Sequence, residues 1–157
     1  MSTADLLTAI QKTPLSRALA GADHLVMAAL QVVHVVGFIL LLASLVLISL
    51  RVLGWALKDT PVAEVARDTT RLLWLGLALA ALTGLLMFIG APKHYFYNPA
   101  FATKMVLLTV AVIIQAVVFS RVAASETPSP ALARVGVALA LVFWFSVSLA
   151  GRAIGFV

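Results

Sequence analysis

Four long apolar stretches dominate the chain, at about 25–50, 72–90, 101–122 and 135–154. Roughly 20 apolar residues cross a hydrocarbon core as a helix. None of the four alternates apolar and polar positions as a barrel strand does. In lipid a continuous apolar segment satisfies its own backbone only as a helix, and short connections make neighbouring helices antiparallel. The pattern predicts an all-α fold, an integral membrane up-down four-helix bundle, with residues 1–157 forming a single transmembrane domain.

The connections carry their own signals. Leu6, Leu7 and Ile10 fall on one side of a short helix, and Thr13-Pro14 starts another. This N-terminal segment reads as an amphipathic piece lying on the membrane surface. Residues 51–71 form a charged connection, with Asp59-Thr60-Pro61 as a helix start and Arg67 and Arg71 leading into the second span. Ala91-Pro92 ends that span, residues 93–99 form a turn with an aromatic cluster, and residues 125–130 form a loop with two prolines. Gly76, Ala80 and Gly84 recur every four residues, as do Gly136 and Ala140, which marks faces of close helix approach. Contact inside one bundle is preferred; a homodimer is the alternative.

Composition agrees with a lipid-facing surface: 63% of residues are hydrophobic and 11% charged. The absence of cysteine excludes disulfides, thiolate metal sites and covalent haem attachment. The formal charge of +5 sits mostly at span ends, which suits lipid headgroups and not nucleic acid. The first 20 residues lack the continuous apolar core of a secretory signal. We expect a multi-pass protein of a bacterial inner (cytoplasmic) membrane. The four basic residues at 51, 58, 67 and 71 favour termini on the non-cytoplasmic side.

Topology places His24, His34, His94, Lys104 and Arg152 in the same half of the membrane. His34 is the strongest candidate, about 14 Å deep at about 1.5 Å per residue. Gln31 and Met27 precede it by one and two turns on the same face, and Gly37, three positions on, leaves space beside the ring. Such a histidine can ligate haem iron or copper, or hydrogen-bond a quinone carbonyl; the plainer reading is a neutral histidine bonded to a neighbouring helix. His94 lies near the surface, so the difference in depth argues against an axial pair with His34. Lys104 and Arg152 either snorkel to headgroups or form a basic pocket for an anionic or carbonyl group. Met27, with His34, is a candidate soft-metal ligand. No carboxylate lies inside any span, and no Ser–His–Asp set, phosphate loop or zinc signature occurs.

The ordered set Thr13-Pro14-Leu15-Ser16, His34-Val35-Val36-Gly37, Leu50-Arg51-Val52-Leu53-Gly54, Thr83-Gly84, Tyr97-Asn98-Pro99-Ala100-Phe101 with Lys104, and Ala150-Gly151-Arg152 spans nearly the whole chain. It resembles a bacterial family of small four-helix membrane proteins catalogued as a domain of unknown function. That resemblance implies an acidic residue three positions before the histidine, where this chain has Gln31. It adds Asn98 to the candidate cofactor-binding residues. The chain more loosely resembles the CopD-type copper-resistance membrane domain and a haem-binding protoporphyrinogen oxidase of bacterial membranes. Those likenesses imply metal handling or haem redox work.

Three functional readings follow. One is a redox-associated component holding haem b or a quinone near His34, with Lys104 and Arg152 at its polar edge. The second is copper or small-solute handling, and the third a non-catalytic anchor or partner subunit for a membrane or redox protein. Independent covalent catalysis is not expected, because little polar machinery lies outside the spans.

Overall fold

The computed structural model describes residues 2–124 and 130–156. Seven α-helices follow one another among them: α1 (Thr3–Gln11), α2 (Pro14–Ala20), α3 (His24–Leu53), α4 (Val62–Gly90), α5 (Pro92–Phe96), α6 (Pro99–Ala124) and α7 (Pro130–Ala153). A 3₁₀ turn at Ile154–Phe156 ends the described chain. No strand occurs among the described residues. The loop expected at 125–130 lies outside them, except that Pro130 already opens α7.

Four helices are long and apolar enough to cross a membrane: His24–Leu53, Val62–Gly90, Pro99–Val117 within α6, and Ala133–Phe156. The fold is therefore an all-α bundle of a multi-pass membrane protein. Its surface is inverted relative to a water-soluble domain. Large apolar side chains such as Val32, Ile39, Leu75, Val106, Val142 and Leu149 are exposed, as contact with hydrocarbon demands. Ser44, Ser49, Thr69, Thr83 and Gln115 are buried instead. The first four of these donate their hydroxyls to carbonyls of their own helix at 2.7–2.8 Å, so they satisfy themselves without water.

The charged connection is shorter than expected. Gly54, with φ +76°, caps α3, and α4 already begins at Val62. Residues 62–71 are helical because their charges fall on one side. Glu64, Arg67, Asp68 and Arg71 are exposed, whereas Val65, Ala66, Thr69 and Leu73 are buried at helical spacing. The turn expected at 93–99 likewise contains a helical piece, α5, with Pro92 at its first position.

The N-terminal segment is two helices docked on the bundle's end. Ser2 and Asp5 form a reciprocal capping box on α1, and Thr13 caps α2. Leu7 is buried, and Ser16 Oγ donates to the Ile89 carbonyl at 2.7 Å, tying α2 to the last turn of α4.

Packing pairs α3 with α4 and α6 with α7, while α3 also packs on α7 and α4 meets α6 lightly. The α3–α4 pair is held backbone to backbone. A methyl group added at Gly76 would lie 2.5 Å from the Gly37 carbonyl oxygen, and one at Gly37 would lie 2.9 Å from the Ala80 nitrogen. Only glycine permits that approach. Gly76 and Ala80 thus serve contact within the bundle. The core between the pairs is built on Leu41, Leu45, Ile48, Leu73 and Trp144. Phe38 of α3 meets Trp144 of α7 edge to face, with ring centroids 6.0 Å apart.

Candidate functional site

The light contact between α4 and α6 leaves two joined clefts at the end of the bundle where α5 lies. The smaller holds about 450 Å³ and is almost wholly apolar; Phe38, Phe88, Phe101, Leu108 and Trp144 are among its walls. Phe88 stacks on Phe101 at 5.7 Å, and Tyr95 of α5 leans on Phe101 at 5.6 Å. The larger cleft holds about 720 Å³ and is more polar. His34 and Lys104 line both, so they stand where the apolar chamber opens into the polar one.

Helix packing decides the chemistry of His34. Its Nδ1 lies 2.8 Å from the Ala80 carbonyl oxygen and 3.2 Å from Thr83 Oγ1. A carbonyl oxygen only accepts, so Nδ1 carries the proton and donates. Thr83 donates its own hydrogen at 2.7 Å to the Leu79 carbonyl, so its oxygen serves His34 as a second acceptor. In the neutral form of a ring held this way the lone pair is at Nε2, for which no hydrogen bond occurs among the described residues. A histidine that ligates a metal through Nε2 is commonly held in this way.

The ring lies against Gly84, where an added methyl group would come within 3.1 Å of His34 Cε1. The space beside the imidazole thus comes from Gly84 of α4. Gly37, expected in that role, is used up in the backbone contact with α4.

Lys104, on the second turn of α6, lies across α7. A methyl group added at Gly151 would sit 3.3 Å from Lys104 Nζ, 3.4 Å from Cε and 3.7 Å from Cδ. Glycine at 151 therefore makes the groove in which the lysine rests. Next to it, the Arg152 guanidinium is exposed and lies 5.0 Å over the Phe156 ring.

Six of the seven residues singled out from the sequence meet in the larger cleft: Met27, Gln31, His34, His94, Lys104 and Arg152. Gln31 and His94 stand on its exposed rim. Asn98 lies elsewhere. It is buried, its Oδ1 accepts from the Ala100 and Phe101 amides at 2.9 and 3.1 Å, and its Nδ2 donates to the Ile154 carbonyl at 3.2 Å. Asn98 thus caps α6 and fastens it to the end of α7.

Sequence reasoning did not place Ala80, Gly151 or Tyr95 in the site, although it marked Ala80 as a helix-contact position and quoted Gly151 in a motif. Ala80 acts through its backbone, which no side-chain pattern announces. Gly151 could have been found from its place beside Arg152. Tyr95 sits on α5, outside the spans, and burial pushes its phenol up from the ordinary value, so it stays a neutral hydroxyl at the cleft wall. No group of three or more histidine or acidic side chains among the described residues is placed to hold a metal ion, so a metal here would depend on His34 with other donors.

No curated protein and no solved structure matches the chain. The pattern that defines one family runs through α3 to α7, from ahead of His34 to beyond Arg152, and so takes in every residue of the cleft. On that match, covering residues 19–157, the chain belongs to DUF6644, a family of unknown function.

Proposed function

We propose that this protein is a redox-associated component of a bacterial inner membrane that binds haem b or a quinone in the cleft at His34. The observation that carries this reading is the 2.8 Å contact of His34 Nδ1 with the Ala80 carbonyl oxygen. The Ala80 carbonyl holds Nδ1–H, and Nε2 is left with a lone pair at the junction of an aromatic chamber and a basic rim. Cofactor pockets are commonly apolar, with a few placed polar groups and volumes of about 300–1,000 Å³. The donor set suits haem b. His34 Nε2 would take the iron, and Lys104 and Arg152 would face its acidic edge; the bound group would supply one-electron chemistry. A quinol hydroxyl would use the same Nε2 as its acceptor, and a quinone carbonyl would use Lys104 as its donor.

An absorption spectrum of the gently solubilised protein, with extraction of bound quinone, tests this. A Soret band, or a co-purifying quinone, that is lost in His34→Ala supports the reading. A colourless, quinone-free preparation overturns it and leaves the role of non-catalytic anchor or partner subunit.

A CopD-like copper role draws on a different observation: Met27, Met87 and His34 line one cleft, a soft donor set for Cu(I). Metal analysis of the same preparation reads it, and wild-type and Met27→Leu proteins of equal copper content would count against it. The basic first connection supports placing the termini on the non-cytoplasmic side. A reactivity scan of single cysteines introduced at 58 and 93 checks that placement.

A further inference from the structure

The walls of the larger cleft hold two basic side chains, Lys104 and Arg152, and three histidines, His24, His34 and His94, with no carboxylate among the described residues that line it. The nearby Asp23 carboxylate lies 2.8 Å from His24 Nδ1 on the exposed rim and makes no ion pair with Lys104 or Arg152. An ammonium in a membrane-spanning helix is costly, most at the bilayer centre and less towards the interface. A chain that only needed Lys104 to reach the headgroups would let it extend freely. Here the side chain is laid instead along the groove at Gly151, facing the cleft. Beside it the aromatic chamber offers an apolar body a place to lie.

Resting on the reading of a His34-bound cofactor, we infer that the cleft selects an anionic amphiphile. The ligand's carboxylates bind Lys104 and Arg152 while its apolar body fills the aromatic chamber, and Gly151 is the positioning residue that aims the lysine. This chooses the carboxylate-bearing tetrapyrrole over the neutral quinone. A carboxylate and a lipid phosphate share the chemistry that two cations recognise, so the test separates them.

Haem b and its dimethyl ester are each titrated into the purified full-length chain, cleared of any native chromophore, in a neutral detergent. The Soret band reports both. The ester keeps the macrocycle and iron and replaces the two carboxylates by neutral methyl esters. A charge-assisted hydrogen bond is worth about 1.5–3 kcal/mol, so the free acid is expected to bind at least about tenfold tighter than the ester. Lys104→Gln should bring the two affinities together while leaving that of the ester unchanged. Gly151→Leu should do the same in part, because the larger residue displaces the ammonium. Unchanged ester binding also certifies that each variant is folded. Excess phosphatidylglycerol should leave the acid isotherm in place.

Equal binding of acid and ester by the wild type overturns this inference and leaves the proposed function standing. So does a preference that survives Lys104→Gln. Displacement of haem by phosphatidylglycerol from the wild type but not from Lys104→Gln overturns it too, by assigning the cations to a lipid headgroup. Failure to bind either tetrapyrrole removes the haem reading and this inference together.

Discussion

Replacing Gly76 by alanine tests the link between helix packing and site. The new methyl group would lie 2.5 Å from the Gly37 carbonyl oxygen and 2.7 Å from the Leu41 nitrogen, both backbone atoms that no rotamer change can move aside. Contact between such atoms begins at about 3.5 Å, so α3 and α4 must part by about 1 Å. The same movement stretches the 2.8 Å bond from His34 Nδ1 to the Ala80 carbonyl beyond useful length. Overpacking costs about 1–3 kcal/mol, and the lost bond about 1 more. Alanine's better helix propensity returns about 0.5–1 kcal/mol. The net loss is about 2 kcal/mol, close to a 30-fold fall in the folding equilibrium. Loss of helicity on titrating sodium dodecyl sulfate into mixed micelles measures it. Gly155→Ala, where nothing lies within 4 Å of an added methyl group, should leave the curve in place. A Gly76→Ala protein that unfolds at the wild-type detergent fraction would refute the close crossing and the account of His34 built on it.

Asn98→Ala should cost about 1–2 kcal/mol in the same titration, since it strips α6 of its cap and α7 of a tie. Asn98→Asp should recover most of the cap while losing the bond to the Ile154 carbonyl. Gly54→Ala forces a side chain into the left-handed region at φ +76° and should cost about 1 kcal/mol, with no effect on ligand binding. The α1 cap should fail in acid. Hydrogen bonds from the Ser2 backbone and hydroxyl hold the Asp5 carboxyl below its ordinary value of 3.8. Its contribution is therefore complete above that value and lost as the pH falls through the lower folded value. Amide protection in α1 should follow this course, and Ser2→Ala should remove only the hydroxyl's smaller share of the dependence, because the backbone N–H of residue 2 still donates to Asp5.

Residue pattern alone located the spans, because apolar length and the helix rise leave little freedom. It also gathered the basic groups. An even number of antiparallel crossings puts His24, His34, His94, Lys104 and Arg152 in one half of the membrane whatever the packing, and all five line the larger cleft. What pattern could not fix is rotation about each helix axis. Gly37 and Gly84 are equally small, and only the crossing of α3 on α4 decides which touches the ring. The early start of α4 was obscured because four charged residues at 64–71 look like a loop, although Val65, Thr69 and Leu73 keep a helical period through and beyond them. Asn98 was legible as a cap, since an Asn directly before a Pro-led apolar run is an N-terminus signal. Its presence in a motif drew attention to ligands instead.

The crossing of α3 and α4 does two jobs through one stretch of backbone. Ala80 offers its amide nitrogen to the tight contact with Gly37 and its carbonyl oxygen to His34, three residues earlier on α3. The spacing that lets the helices touch therefore also brings an acceptor within reach of Nδ1. A wider separation would leave the imidazole free to rotate and to exchange its proton between nitrogens. A ring bonded through Nε2 would turn its lone pair away from the cleft. The small residues at 37, 76 and 80 are consequently as much a part of the site's chemistry as the histidine. On the proposed haem reading, variation at them should show first in the Soret band, before the bundle itself gives way, because a hydrogen bond fails over a few tenths of an ångström while apolar contacts relax gradually.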